Sequence, residues 1–574
     1  MRKGDVTADV PPARRDVLVV GSSAGGLSAA VTAASLGLNV IVVEKEAVFG
    51  GTTAWSGGWL WIPRNPLAVA AGIVEDAEAP RTYLRHELGP HYDETRVEAF
   101  LEQGPRMIDF FQRETAVMFI DGNAIPDFHG ASPGAREGGR SVCAAPFDAR
   151  ELGPRFAQLR PPLDLISPWG MGIASGTELR HFLNAMRNWR SFAYVTRRVV
   201  WHMLDLVVHR RGMKLVNGNA LVARLARSAF DRGVDLRVSA PVRQLLIEEG
   251  RVVGAVVQQP GGDTEIRANR GVVLACGGFP HDPVRIAQLF AHAPTGREHR
   301  SAAPASNTGD GLRLGEAVGA VVKTDLRAGR VGTRVARAQA RWHRRPFSAS
   351  GRARETGPHR RYACRLALRR RGRLVLRLHG GAVRRTARGC ARRGVAVCDH
   401  RFIRRYGLGH AMPAPLPLGP SLRSGYLKRG RTIAELARAC GLPEGALAAA
   451  VETYNRDACE GRDPAFGRGD TPYDRAGGDP LQRPNPNVAP VEHAPYYAVK
   501  VVPGSLGTFA GLRTDADARV LDARGMAIPG LYACGADMAS VMGGRYPSCG
   551  ITLGPAMTFG YIAAHHLATA TPAA

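Results

Sequence analysis

Gly21, Gly25 and Gly26, followed about twenty residues later by Glu44, have the types and spacing of a dinucleotide site. Gly21 permits a tight turn, and Gly26 lets a helix pack closely on a strand. The helix N-terminus that follows offers free N–H groups and the positive end of its dipole to a pyrophosphate. Glu44, with Lys45 beside it, is placed to accept hydrogen bonds from ribose hydroxyls. The middle glycine of the G-x-G-x-x-G pattern is replaced by Ser23, whose side chain stands where backbone would come nearest the phosphate.

The elements that must position these residues are legible around them. Residues 17–20 form a short apolar run that ends in the glycine turn, an alanine-rich helical pattern reaches Leu36, and a second apolar run at 40–43 is closed by Glu44. That order is strand, turn, helix, strand, acid. A second small-residue segment at 49–58, containing Gly51, Thr52, Ser56, Gly57 and Gly58, suits backbone laid against a large flat cofactor.

Together these stretches resemble the FAD-binding fold of the fumarate reductase and 3-ketosteroid dehydrogenase flavoproteins, and Trp59-Leu60-Trp61-Ile62-Pro63 leans towards the ketosteroid branch. The resemblance implies an α/β protein: a discontinuous Rossmann-like FAD-binding domain with an inserted α+β substrate domain. The expected boundaries are 1–304 (1–14 a loose tail) and 496–574 for the FAD-binding parts, and 305–495 for the insert. In this family pattern a backbone near Val242 holds the adenine, Ala275 and Gly277 pass under the pyrophosphate, and Asp537 holds the ribityl or phosphate side. Thr552 and Leu553 open a last helix aimed at the flavin.

The same resemblance assigns the chemistry. A tyrosine and a glycine N–H polarise the ketone of the substrate, a second tyrosine removes the neighbouring proton, and the flavin takes a hydride. The first pair carries over to Tyr546 and Gly550, spaced Tyr-Pro-x-x-Gly. Where the family often carries another active-site tyrosine, this chain has Phe128. The expected partners are a small hydrophobic ketone and an electron acceptor. A dicarboxylate reductase of the fumarate type, with Arg401, Arg404 and His410 as candidate clamps, is the alternative, as is a flavin-binding protein without turnover.

Composition sets further bounds. With 574 residues and 45% hydrophobic content the chain can bury a large core. The N-terminus has no apolar segment of signal-peptide length, and no apolar run is long enough to span a bilayer, so a cytoplasmic protein with at most peripheral membrane contact is expected. The best membrane candidate, 199–208, reads as a helix packed beside the cofactor domain. Nine cysteines without C-x-x-C or His-paired spacing argue against a disulfide framework and a metal site, and Cys549 has no neighbouring base to make it a catalytic thiol.

The formal charge of +27 would ordinarily suggest nucleic acid, but it is concentrated in one window. Residues 327–393 hold 22 Arg, no Lys, no Asp and one acid, Glu355, leaving 55 basic against 49 acidic residues elsewhere. With only Trp342, Phe347 and Tyr362 as aromatics and no recognisable module, the window does not read as a nucleic-acid site. It has neither the alternation of a strand nor the apolar stripe of a helix, while both flanks match the family continuously. Arginine runs arise when GC-rich codons are read out of register, and 327–394 is expected to be such a stretch, loosely packed with its arginines in solvent.

The expectation can be checked on paper. Residues 368–377, Leu-Arg-Arg-Arg-Gly-Arg-Leu-Val-Leu-Arg, can be written CTT CGC CGA CGA GGC CGA CTC GTA CTA CGA. One base later this reads Phe-Ala-Asp-Glu-Ala-Asp-Ser-Tyr-Tyr, which resembles the segment that carries the proton-abstracting tyrosine in ketosteroid dehydrogenases. The base would then have become Val375, and the chain as written should bind FAD poorly or turn over negligibly. Sequencing the gene should reveal compensating insertions and deletions at the two ends of the window. An uninterrupted frame, together with full activity of the encoded protein, would overturn the reading.

Overall fold

Continuous apolar runs, rather than alternating ones, build the central sheet, as expected for strands covered on both faces. The computed structural model describes residues 13–163, 167–259, 261–290, 292–326, 394–479 and 481–572, with the backbone of three further strands, Thr333–Arg337, Pro346–Ser350 and Leu376–His379. Residues 1–12 of the expected tail lie outside the described residues, and 13 and 14 already belong to the first strand, Ala13–Val20. The arginine window, Val375 included, lies outside them too, apart from those three strand backbones and Gly394.

The first sheet has eight strands. Five adjacent strands run parallel in the order Ala527–Ala533, Gly262–Leu274, Ala13–Val20, Val40–Val43 and Asp235–Arg237. Arg519–Leu521 adds an antiparallel edge, and the hairpin of Val242–Glu248 and Arg251–Gln259 extends from the long strand Gly262–Leu274. Two helices lie together against this sheet, Ala24–Ser35 and Leu553–Thr569. Both are small-residue or apolar nearly all round and are buried accordingly. They approach closely because both are glycine-bearing at the contact: a Cβ on Gly560 would lie 2.4 Å from the Gly25 carbonyl oxygen.

The second sheet has seven strands centred on Tyr496–Ser505, which pairs with Gly394–Cys398, Leu427–Gly430, Thr333–Arg337 and Arg300–Ser301. The boundary expected between 495 and 496 coincides with the start of this central strand, which pairs with strands from both sides of residue 305. Two helices, Ile433–Cys440 and Glu444–Cys459, accompany this sheet. Ile433–Cys440 is capped by Thr432 Oγ1, which accepts from Glu435 N at 3.1 Å, and Glu435 reaches back to the Arg431 N–H at 2.7 Å.

The segment 199–208 lies in a helix, Trp189–His209, that is packed on one side only, with Val199, Met203 and Leu206 half-buried. Its buried residues include Ser191, Arg198 and His202, while Trp201, Val207 and Val208 are exposed.

The chain enters and leaves the insert side by side, with Arg300–Ser301 parallel to Gly504 and Ser505. His299 sits buried at this crossing, its Nε2 2.8 Å from Ser505 Oγ and its Nδ1 3.0 Å from His292 Nε2. Burial, followed by the charges of His292, His281 and Arg300, pushes its pKa down to about 3. Above its ordinary pKa the ring is neutral in both folded and unfolded chains. Below that value the unfolded ring takes a proton that the folded one refuses, so stability falls with pH, by up to about 1.4 kcal/mol per pH unit for this one group. Urea unfolding at about pH 7 and about pH 5 should show that loss, and His299→Gln should reduce the difference between the two conditions. An equal pH slope in both proteins would remove His299 from the acid sensitivity.

Candidate cofactor and substrate site

Four parallel strands end at one level, since Val20 pairs with Val43 and Leu274, and Leu274 pairs with Ala533. A cavity of about 2160 Å³ opens beyond those carboxyl ends, where ligands bind in open α/β sheets. Single ligand pockets are commonly about 300–1,000 Å³, so this one has room for a large cofactor and a second bulky molecule.

The structure brings nearly all the sequence-predicted residues to this cavity: Gly21, Ser23, Gly25, Glu44, Lys45, Gly51, Thr52, Ser56, Gly57, Gly58, Val242, Ala275, Gly277, Tyr546, Gly550, Thr552 and Leu553 all line it. Gly26 and Asp537 do not. Gly26 is a packing glycine, whose Cβ would lie 2.0 Å from the Gly21 carbonyl oxygen. Gly21 itself has φ +108°, and a Cβ there would meet Ala275 O at 2.3 Å. The turn therefore closes only with glycine.

Asp537 requires a correction. It is fully buried, and its two oxygens accept from Cys276 N (2.5 Å) and Gly278 N (2.9 Å). Burial pushes its pKa up against the pull of those two N–H groups. Its carboxylate thus shapes the 275–278 turn and does not face the cofactor space. Glu44 is also more engaged than its expected role implies: Oε2 accepts from Ser22 Oγ at 2.5 Å and Ser22 N at 3.2 Å, and Oε1 accepts from Glu46 N at 3.0 Å. Lys45 pairs with Asp310 and bonds Thr308 Oγ1 at 3.1 Å.

Two supporting residues escaped the sequence reading. Ser22 is buried, and its hydroxyl accepts from Gly50 N at 3.0 Å while donating to Glu44, so it ties both small-residue segments to the acid. Asn307 bridges Gly277 O (3.0 Å) and Thr52 Oγ1 (3.1 Å) through its amide nitrogen. Ser22 lies within the glycine turn and Asn307 in the family-like stretch Asn307-Thr308-Gly309-Asp310-Gly311, but only their neighbours in space show what each holds.

The cavity residues fit FAD. Thr53 Oγ1 takes the N–H of Ala24, the first of the helix Ala24–Ser35, at 3.0 Å, and among the described residues no acceptor takes the N–H of Gly25 or Gly26. The helix Leu553–Thr569 begins at the cavity without a side-chain cap. One N-terminus is free for phosphate, and the other is placed to stabilise negative charge.

The other half of the cavity is built around 546–550. Pro547 O accepts from Phe128 N at 2.9 Å and from Tyr83 Oη at 2.7 Å, Ser141 Oγ donates to Cys549 O at 3.2 Å, and Trp61 N donates to Gly550 O at 3.1 Å. Gly550 has φ +99°, and a Cβ there would lie 2.6 Å from Trp61 N. No acceptor among the described residues takes its N–H. The Tyr546 ring stacks on Phe128, centroids 5.9 Å apart at 8°.

Phe128 brings no hydroxyl, as the sequence indicated, but it packs at 4.3 Å against Tyr473, which also lines the cavity. Tyr473 comes from the short helix Pro472–Ala476 in the insert, and nothing in its turn-rich surroundings signalled it. Arg401, Arg404 and His410, the candidate dicarboxylate clamps, do not line the cavity. The seven described cysteines are free thiols, and the described residues contain no group of His, Cys, Asp or Glu suited to a metal ion.

A family model described as FAD binding domain matches residues 16–553. The chain belongs to the FAD binding domain family. Its cofactor is FAD, and it is a flavoprotein oxidoreductase. The chain is 37% identical over 566 residues to 4-oxocyclohex-2-ene-1-carboxylate 5-dehydrogenase of Sinomonas cyclohexanicum, covering 96% of this chain and 93% of that one. It is 36% identical over 576 residues to 3-oxosteroid 1-dehydrogenase of Mycobacterium tuberculosis, covering 96% and 98%. The crystal structure of 3-ketosteroid delta1-dehydrogenase from Sterolibacterium denitrificans in complex with 1,4-androstadiene-3,17-dione superposes with a TM-score of 0.85 at 32% identity, over 97% of this chain and 99% of that one.

Within this family member the turn held by Asp537 is open to a direct test. Asp537→Ala orphans two buried N–H groups at about 1–3 kcal/mol each. The variant should lose bound flavin during purification and melt at a lower temperature, whereas Asp537→Asn, which keeps one acceptor, should lose less. Flavin absorbance per chain and the melting temperature give the two readouts, and wild-type values for Asp537→Ala would show that the carboxylate does not hold the turn.

Proposed function

We propose that this protein dehydrogenates a bulky, steroid-like cyclic ketone at the carbon pair beside its carbonyl, with Tyr546 Oη and the Gly550 N–H donating to the ketone oxygen. The observation that carries this reading is the single tied-down segment 546–550, which holds both donors on the cavity wall. Both curated relatives are named for ring ketones, which supports the same substrate class.

Two hydrogen-bond donors at a ketone oxygen stabilise the negative charge that builds there as a proton leaves the adjacent carbon, so a weak base becomes adequate. Bound FAD supplies the acceptor for the hydride that leaves the next carbon, and a carbon–carbon double bond forms between the two. Phe128, Tyr473 and Phe509 present ring faces and edges around Tyr546 and the cavity, an apolar wall suited to a flat alicyclic ligand and to excluding water. The proton acceptor implied by the family resemblance falls at Val375, outside the described residues. We infer that the chain as written lacks that group and that restoring the reading frame returns it.

Tyr546→Phe should lower turnover by roughly 100-fold or more, the cost of one lost oxyanion donor, with flavin binding unchanged. The measurement is bleaching of the flavin absorbance by a 3-ketosteroid under anaerobic conditions, made on the frame-restored chain if the gene sequence calls for it. An unchanged rate on every ketone that the parent protein oxidises removes Tyr546 from the mechanism. Bleaching by no ketone at all would favour a binding protein without turnover.

A further inference from the structure

We propose that His129, oriented by Glu87, carries the proton lost by the substrate from the cavity to solvent. This role rests on the ring-ketone reading above, in which a proton leaves the carbon beside the carbonyl and must reach water. Among the described residues the cavity is lined by three carboxylates, Glu44, Asp310 and Glu87, and by two histidines, His86 and His129. Glu44 and Asp310 belong to the cofactor half and are engaged there, Glu44 by Ser22 and the Glu46 N–H, Asp310 by Lys45 and Arg313. Glu87 and His129 meet at the other end, beside the segment that holds the ketone donors.

Two elements place them there. Glu87 stands on the helix Glu78–Leu88, four residues after Tyr83 and so on the same helical face. Tyr83 Oη donates to Pro547 O at 2.7 Å. His129 directly follows Phe128, whose N–H donates to the same carbonyl at 2.9 Å and whose ring stacks on Tyr546. Each member of the pair is therefore one turn or one residue away from a group that grips 546–550.

The bonding suits proton transport. His129 Nδ1 donates to Glu87 Oε2, and Ser132 Oγ donates to Oε1 at 2.7 Å. A carboxylate at Nδ1 fixes the tautomer whose lone pair is on Nε2, and it stabilises the imidazolium that forms when Nε2 takes a proton. The Glu87 side chain is only 8% exposed, so its charge acts in a shielded setting, whereas His129 is 36% exposed and reaches both cavity and water. His86 and Ala131 line the same end and are exposed, which opens it to solvent.

In the step itself the C–H bond beside the carbonyl breaks and leaves its electron pair in the enolate, whose oxygen Tyr546 and Gly550 hold. The proton passes to His129 Nε2, from its first acceptor or through one water. The imidazolium then releases it to solvent. The ring is returned unchanged, and nothing is oxidised or reduced in this part of the reaction. A mere loop clasp would account for the bonds to Glu87, and the position of His129 between cavity and water is what points to transport.

The full-length, FAD-loaded protein of the bleaching measurement is incubated anaerobically in D2O with the same 3-ketosteroid, and NMR follows deuterium entering the carbon beside the carbonyl. Exchange needs proton transfer but no hydride transfer. His129→Gln should lower the exchange rate by about 100-fold, with parent-like flavin content and melting temperature. Imidazole added to His129→Ala should restore exchange in proportion to its concentration, a rescue that a merely structural role does not permit. Glu87→Gln, whose amide can donate to Nδ1 and favour the other tautomer, should lose exchange without rescue. Exchange at the parent rate in His129→Gln, no rescue in a folded, FAD-loaded His129→Ala, or no exchange by the parent protein would each overturn the relay, and flavin bleaching alongside any of them would leave the ketone reading standing. Exchange that depends on His129 without bleaching by any ketone would support the relay and remove the dehydrogenation.

Discussion

The common level at which Val20, Val43, Leu274 and Ala533 end is the constraint on which the rest of the molecule depends. Parallel pairing fixes it, because each of these strands is buried on both faces and a slip would displace a whole apolar run. From that one edge the chain launches the glycine turn at 21, the acid at 44, the turn at 275–278 and the residues after 533. Segments separated by hundreds of residues meet at a single cavity only because their strands stop together. Asp537 reinforces the arrangement by bonding the turn of a neighbouring strand, which places a structural carboxylate where a ligand contact had been expected.

The segment that carries Tyr546 and Gly550 is held in a different way. It has no regular secondary structure, and its carbonyls are gripped by groups from four separate parts of the chain. Those groups are held in turn by a buried cluster. Arg140 pairs with Asp127 at 2.6 Å and with Glu75 at 2.6 Å, and Trp61 Nε1 donates to Asp127 at 3.0 Å. A buried ion cluster contributes little net stability after desolvation, but breaking one partner leaves a charge uncompensated, so it defines one arrangement of its neighbours. Here the arrangement it defines is that of Asp127-Phe128 against Pro547, the contact that sets the Tyr546 ring.

The chain passes between the two sheets through paired strands of the second sheet. Arg300–Ser301 and the end of Tyr496–Ser505 run side by side, and buried His299 bonds across them. That crossing presents Tyr473, from the insert, to Phe128, from the cofactor-binding part, so the apolar wall of the cavity is assembled from both. The helix Trp189–His209 lines part of the same cavity with Val195 and Val199, while its buried polar groups bond to neighbouring turns and helices.

The sequence by itself determined the strand–turn–helix unit, the acid at 44, the second small-residue segment and the spacing of Tyr546 and Gly550. Each is a local pattern: an apolar period, a glycine where a Cβ cannot fit, or a fixed interval along the chain. The anomaly of the arginine window is also a property of composition alone. Tertiary structure decided what local pattern cannot encode. It turned Asp537 away from the cofactor space, recruited Ser22, Asn307 and Tyr473, left Arg401, Arg404 and His410 off the cavity wall, and paired the strand Tyr496–Ser505 with strands from both sides of residue 305. It also decided which face of Trp189–His209 is outside, because apolar periodicity identifies a stripe but not the side on which the rest of the protein lies. These outcomes depend on which side chain meets which backbone group across a folded distance, and that information exists only once the strands have been placed side by side.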